Sequence, residues 1–237
     1  MEVPLQPNVS PHSRSAAFFA GVKAELPLMI GVIPFAMIYG ALALKAGIQP
    51  SATQAMSAIL FAGSAQFLTA QMTMNGVPGL VMLMALAVVN LRHMLYSASI
   101  APYTRKLSHL WRVILAYLLT DEAYVVVISE YENKGLQKTS HWYFLGAGLG
   151  LWSFWQISTA IGVLAGTAIP ESWPLDFALP LSFIAMLVPQ LKDRSTVGAA
   201  IVAGIAAVIL YPLPYKLSII LAAFAGIVTG VILERRK

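Results

Sequence analysis

The stretch Gly79-Leu80-Val81-Met82-Leu83-Met84-Ala85-Leu86-Ala87-Val88-Val89 runs directly into Asn90-Leu91-Arg92-His93, and apolar residues resume at Met94. The apolar run is typical of a helix that enters the lipid bilayer. An ionisable residue in the hydrocarbon costs about 2.5–3.5 kcal/mol on insertion scales, and it usually faces a partner or a hydrated path. Arg92 and His93 therefore mark a candidate functional site, unless Arg92 simply extends to the lipid headgroups.

The composition of the chain indicates a membrane protein. Of 237 residues, 58% are apolar and 11% are charged, and the mean hydropathy is +0.75. Soluble domains carry about 25% charged residues. Several continuous apolar runs reach the length of about 20 residues that a helix needs to cross a bilayer, and continuous runs favour helices over a β-barrel. The sequence predicts an all-α, polytopic integral membrane protein.

The chain divides into a polar tail, residues 1–15, and a single transmembrane domain, residues 16–237. The net charge of +5 comes from basic residues scattered through short loops, so it indicates topology rather than nucleic-acid binding. The chain has no cysteine, and its four histidines are dispersed. No P-loop or HExxH motif is present. We expect no metal, no cofactor and no enzymatic activity.

Eight apolar segments can be delimited, and no internal repeat is evident among them. If all eight cross the membrane with both chain ends in the cytoplasm, Arg105, Lys106 and Arg112 lie outside, against the positive-inside rule. If the second or the fourth segment folds back, the number falls to seven. The sequence thus predicts seven or eight segments, some of them broken or re-entrant, at about residues 16–44, 52–72, 77–102, 113–129, 141–168, 177–191, 196–210 and 217–233.

Polar groups interrupt the first two segments. Pro27 and Pro34 each remove a backbone hydrogen bond, so we expect a kinked or broken helix whose carbonyls can bind a cation. Lys23 and Glu25 are expected to mark the cytoplasmic end of that helix. In the second segment, the spacing favours a packing seam of small residues in which Gln66 bonds to a neighbouring helix. The alternative is an interrupted helix whose free N–H groups receive a carboxylate.

The third and fourth segments carry the ionisable groups. Two helical rows on the third segment indicate a face that lines a cavity; they are Asn90, His93, Met94 and Ser97, and Arg92, Tyr96 and Ser99. Asp121 and Glu122 interrupt the fourth segment. One carboxylate can form a structural ion pair with Arg92, and the other can bind an ammonium group or carry a proton.

Three motifs, in this order, resemble the AzlC family: Phe61-Ala62-Gly63-Ser64-Ala65-Gln66-Phe67, Asn90-Leu91-Arg92-His93-Met94-Leu95-Tyr96 and Leu119-Thr120-Asp121-Glu122. Members of this family are the large subunits of bacterial two-component exporters of branched-chain amino acids. The resemblance implies export of leucine, isoleucine or valine across the bacterial cytoplasmic (inner) membrane. It also implies a small AzlD-like membrane subunit as partner, and higher oligomers are possible.

These observations together suggest a site for a zwitterion. Arg92, with backbone amides around Gly63 and Ser64, would hold the carboxylate. Asp121 or Glu122 would meet the ammonium group, and one of them, or His93, would carry a coupling proton. Gln66, Asn90 and Tyr96 are further candidate contacts, and Phe61, Phe67 and Trp155 are candidate apolar walls. Trp155 has another interpretation, as an interfacial anchor, which its type favours.

Two other classes of function remain open at this point. A membrane scaffold for the small subunit would form a complex without responding to substrate. A channel for a small solute would show flux that does not respond to collapse of the proton gradient.

Overall fold

The computed structural model describes residues 13–166, 191, 193–213 and 217–235, and every regular element in these residues is a helix. The tail up to residue 12 and the sixth predicted segment up to residue 190 lie outside the described residues. The helices are α1 (Arg14–Lys45), α2 (Pro50–Ile59), α3 (Gly63–Met74), α4 (Gly79–Thr104), α5 (His109–Tyr117), α6 (Asp121–Lys134), α7 (Ser140–Gly166), α8 (Arg194–Ile209) and α9 (Leu217–Glu234).

Helices α1 and α7 pack side by side and run in the same direction. A Cβ built on Gly146 would lie 2.0 Å from the backbone oxygen of Phe18, and one on Gly162 would lie 2.1 Å from that of Met37. Because the contacts advance along both helices together, the pair is parallel. Small residues permit this backbone approach, as is common between membrane helices.

Helix α1 continues without interruption through Pro27 and Pro34. The expectation of a break at these residues was therefore wrong. Both prolines are exposed, whereas Gly21 and Gly40 fix the opposite face of α1 against α7. The helix tolerates the lost hydrogen bonds because close packing on one side holds the remaining turns in place.

Helices α2 and α3 form a first re-entrant hairpin. The chain turns directly after α1, where Ile48 N donates to Ala43 O at 3.0 Å, and α2 follows. Helix α3 begins with Gly63 beside the Phe35 ring, and its Phe67 then reaches Tyr39, with 5.9 Å between ring centroids. Helix α3 thus advances toward the end of α1, and the hairpin returns to the side where α1 ends.

Helices α5 and α6 form a second re-entrant hairpin, which enters from the other side. Trp111 near the start of α5 packs on Trp142 at the start of α7, with 5.1 Å between ring centroids. Near the break, Trp152 Nε1 donates to the Tyr117 hydroxyl at 2.7 Å. Helix α6 then returns, because the Tyr131 hydroxyl donates to Ser140 O at 3.1 Å.

Helix α4 crosses between the two hairpins. Its first turns face α3, where the Thr73 hydroxyl contacts Met82 Sδ at 4.0 Å. Its last turns face α6, where the Tyr103 and Tyr131 rings lie 5.2 Å apart. The unit α1–α3 and the unit α4–α6 therefore have the same order of elements in opposite directions, an inverted repeat that the sequence did not reveal.

This path differs from the predicted one. The prediction let either the second or the fourth segment fold back, or neither, whereas in the structure both segments fold back. The predicted number of seven or eight segments is not confirmed. Four described helices are long and apolar enough to cross a membrane, namely α1, α4, α7 and α9. Helices α8 and α9 pack on each other through Gly226 and Ala203, and Ile220 of α9 joins an apolar cluster with Met72 of α3 and Ala85 of α4.

The re-entrant path removes the conflict with the positive-inside rule. The loop between α4 and α5, with Arg105 and Lys106, lies on the side where α1 and α7 begin. Arg14 and Lys134 lie at helix ends on that same side, and Lys138 lies in the loop before α7. These basic residues therefore share one side, as the positive-inside rule requires.

Candidate functional site

Arg92 connects the first turns of α3 and α6, the second helices of the two re-entrant hairpins. It lies midway along α4, where Nη1 donates to Asp121 Oδ2 and Nη2 donates to Ser64 Oγ at 2.6 Å. Asp121 is the first residue of α6, and Ser64 is the second residue of α3. The N-terminal ends of two helices that enter from opposite sides therefore meet at one guanidinium group.

The Arg92–Asp121 ion pair leaves one donor and one acceptor unused. Arg92 Nε and Asp121 Oδ1 are buried, and neither has a hydrogen-bond partner among the described residues. The two side chains are 26% and 19% exposed. The Tyr96 side chain also faces this carboxylate. A pair with both an unused N–H and an unused oxygen can receive a ligand that carries both signs of charge.

Helices α3 and α6 start in different ways. The Thr120 hydroxyl accepts from Ala123 N at 3.3 Å and caps α6, as threonine commonly does at this position. Helix α3 begins after Ala62, which provides no side-chain cap. Its first N–H groups carry the positive end of the helix dipole, so the start of α3 favours an anionic group.

A cavity lies at this junction. One wall is apolar and the other is polar. The lining residues are Val32, Phe35, Phe61, Ala62, Gly63, Leu151 and Trp155, and Ser64, Arg92, His93, Thr120, Asp121 and Glu122.

Trp155 belongs to the cavity wall and not to the membrane interface, so the anchor interpretation was wrong for this residue. It is only 5% exposed, and its Nε1 donates to Gln66 Oε1 at 3.2 Å. Gln66 Nε2 in turn donates to Leu60 O at 2.5 Å, across the break between α2 and α3. Gln66 thus bonds to Trp155 of the neighbouring helix α7, as the packing interpretation predicts. The segment that carries Gln66 is also interrupted between α2 and α3, as the alternative predicts.

The cavity brings together eight of the predicted site residues, namely Phe61, Gly63, Ser64, Arg92, His93, Asp121, Glu122 and Trp155. Phe67 is fully buried behind the wall, with its ring 4.4 Å from that of Phe35. Asn90 does not line the cavity; it is half-buried, and its Oδ1 has no hydrogen-bond partner among the described residues. In the second polar row of α4, Tyr96 stacks on Tyr124 at 4.5 Å, and the Ser99 and Tyr124 hydroxyls lie 2.9 Å apart.

Five further residues line the cavity and were not predicted from the sequence, namely Val32, Phe35, Ala62, Thr120 and Leu151. The sequence analysis also misplaced Glu25, which does not mark a helix end but is completely buried within α1. Its spacing offered a signal, because Gly21 and Met29 lie four residues away on either side of Glu25 along the helix, and both are buried. Residues at this spacing share one face of a helix.

Comparison with known proteins gives a consistent assignment. Residues 27–169 match the AzlC protein family. The chain is 29% identical over 232 residues to the inner membrane protein YgaZ of Escherichia coli (strain K12), covering 94% of this chain and 92% of that protein. It is 34% identical over 219 residues to an uncharacterized membrane protein of Archaeoglobus fulgidus, covering 90% and 94% of the two chains. No solved structure gives a significant match.

Proposed function

Because the chain belongs to the AzlC protein family, we propose that it is a membrane transporter that exports branched-chain and other neutral apolar amino acids. The proposed location is the bacterial cytoplasmic membrane, with multiple crossings. Family membership and the membrane relatives support a role in membrane transport, and the geometry of the cavity supports the choice of substrate class.

The observation that carries the proposal is the incomplete ion pair at the centre of the chain. A zwitterionic amino acid presents a carboxylate and an ammonium group on one carbon atom. Arg92 Nε and the start of α3 offer donors for the carboxylate, and Asp121 Oδ1 offers an acceptor for the ammonium group. Discontinuous helices near the membrane centre are the usual means by which transporters build such sites.

The apolar wall supports a substrate with a hydrocarbon side chain. Val32, Phe61 and Leu151 line the cavity together with the rings of Phe35 and Trp155, and this wall presents no charged group. A branched aliphatic side chain would gain from leaving water here, at about 25 cal/mol per Å² of apolar surface. A charged side chain would meet no partner on this wall.

The proposal includes two further elements from the family resemblance. Export is driven by the proton gradient, with Asp121, Glu122 or His93 as the group that carries the proton. A small AzlD-like membrane subunit acts together with this chain. Both broken helices rest against α1 or α7, so a rocking movement of one hairpin against these helices would expose the cavity to one side at a time.

Efflux of labelled valine tests the proposal in cells that express the full chain with the small subunit. We expect Arg92→Ala and Asp121→Asn to abolish efflux, because each removes one end of the zwitterion site. Arg112→Ala is the matched control, since Arg112 is an exposed arginine on α5 and its loss should leave efflux unchanged. Protein levels in the membrane are measured for every variant.

The outcomes separate the possible functions. Normal efflux in Arg92→Ala cells at normal protein level would remove this residue from the site. Efflux that persists unchanged after collapse of the proton gradient would indicate a channel. A stable complex with the small subunit and no substrate movement would indicate a scaffold.

A further inference from the structure

Glu25 is the most unusual side chain in the described part of the molecule. It is fully buried in α1, eleven residues after Arg14, which places it about 16 Å along the helix. Neither carboxyl oxygen has a hydrogen-bond partner among the described residues. A buried, unpaired carboxylate costs far more than a buried apolar group, so packing alone does not explain an acid at this position.

The surroundings of Glu25 contain one other acid and no described ion-pair partner. On α1, Gly21 abuts the backbone of Tyr143 and Ala147, and Met29 abuts Gly150. Glu25 lies between them, and it therefore faces α7. The titratable groups that interact with it are Glu122 of α6 and Tyr143 of α7. The other helices that pack on α1, namely α2 and α3, contain no acidic, basic, histidine or tyrosine residue.

Glu25 and the start of α6 lie at the same level of α7, because Gly148 abuts Leu118, shortly before α6, and Gly150 abuts Met29, one turn after Glu25. Helix α1 is also in contact with α6. Glu122 lines the cavity, whereas Glu25 does not. Glu122 also stands in the first turn of α6, directly after the Thr120 cap and Asp121. Two carboxylates that interact at low dielectric do not ionise independently, and such a pair binds one proton more readily than none.

We propose that Glu25 and Glu122 form a proton-binding pair behind the candidate substrate site. Loading places one proton on a carboxylate oxygen of the pair, with formation of an O–H bond. Release breaks that bond, and the proton leaves toward the cavity through Glu122. The pair does not suit a metal ion, because hard cations take about six to eight oxygen ligands, and the described residues contain no cluster of three or more metal-ligating side chains.

The inference rests on the proposed function for its physiological meaning, and it specifies how export would be coupled. A substrate ammonium group at Asp121 and Glu122 would stabilise the ionised pair and release the proton. Departure of the substrate would favour rebinding of the proton. Because coupling between two sites is reciprocal, proton and amino acid would occupy the site in turn, which is the requirement for exchange in opposite directions.

The test is an infrared titration of the purified full-length chain, followed at the carbonyl stretch of a protonated carboxyl group. We expect a titrating band that Glu25→Gln removes, since the amide mimics the protonated acid in shape but binds no proton. Glu122→Gln should keep the band and move its titration. Glu132→Gln, a change at an exposed acid of α6, should leave the band and its titration as in the wild type. A wild-type chain without such a band, or a Glu25→Gln chain that retains it, would overturn the proposal.

Liposomes distinguish this inference from the proposed function. Glu25→Gln should abolish valine movement driven by a proton gradient and preserve valine exchange without a gradient. Unchanged gradient-driven movement in this variant would reject the proton pair and leave transport intact. If the wild-type chain, reconstituted together with the small subunit, moves no valine while its Glu25 band titrates, the transport proposal fails and the proton-binding pair stands.

Discussion

Trp155 of α7 and Gln66 of α3 are bonded to each other across the wall of the central cavity, with 3.2 Å between Trp155 Nε1 and Gln66 Oε1. The same glutamine side chain donates to Leu60 O, so one amide holds the break between α2 and α3 against α7. The shape of the cavity therefore depends on Gln66, which does not line it.

We expect Gln66→Leu to destabilise the protein by about 1–3 kcal/mol for each buried polar group that it leaves unpaired. The group left unpaired is the Trp155 N–H, because Leu60 O still accepts from Ala62 N at 2.7 Å. Thermal unfolding in detergent measures the effect. Gln49→Leu serves as control, because Gln49 is exposed and its side chain does not cap α2. Equal melting temperatures for the two variants would contradict the role of Gln66 in holding the α2–α3 break against α7.

Close contact between α1 and α7 makes Gly162 intolerant of a side chain. A Cβ at this position would lie 2.1 Å from Met37 O, and backbone on both sides prevents relaxation. Gly162→Ala should therefore yield little folded protein on size-exclusion chromatography. Gly31→Ala adds the same methyl group on α1 with nothing within 4 Å. We expect it to match or exceed wild-type stability, by up to about 1 kcal/mol from helix propensity. A fully folded Gly162→Ala chain would argue against the parallel contact.

The natural absence of cysteine permits a direct test of the re-entrant path. Single cysteines replace four exposed loop residues, Gln49, Asn75, Ser108 and Lys138, and a membrane-impermeant maleimide labels them from one side. Ser108→Cys and Lys138→Cys should react from the same side, and Gln49→Cys and Asn75→Cys from the other. A path in which both broken segments cross would instead separate Ser108→Cys from Lys138→Cys.

The apolar wall should determine the size of the preferred side chain. Leu151 lines the cavity, and Leu151→Val removes one methylene group from it. Because one methylene in an apolar pocket is worth about 1–3 kcal/mol, we expect the ratio of leucine to valine efflux to rise about tenfold or more. Leu149→Val, on the exposed face of α7, should leave the ratio unchanged. An unaltered ratio in Leu151→Val would place the substrate elsewhere.

The residues that sequence analysis located well are those whose chemistry is unusual for their setting. Arg92 and Asp121 stand out within apolar runs, and the structure brings them into contact. The direction of the chain after a break could not be read in the same way. A break at Thr120 is compatible with a crossing and with a return, and only the contact of Trp111 with Trp142 distinguishes them.

Glu25 and Trp155 show a second limit of sequence reasoning. An acid eleven residues into a helix and a tryptophan in an apolar segment both have common explanations at a membrane surface. Their actual positions depend on the parallel packing of α1 on α7, which arises from contacts between residues more than 120 positions apart, such as Phe18 and Gly146. No local pattern contains that information.

The opposite orientation of the units α1–α3 and α4–α6 has a consequence for directionality. The two units are equivalent in opposite directions. A movement of one unit that opens the cavity to one side of the membrane therefore has a counterpart in the other unit that opens it to the other side. Under the transport proposal, the architecture then provides no preferred sense of flow. The bias must come from the few places where the halves differ chemically, such as Ser64 opposite Asp121, and from the concentrations on either side.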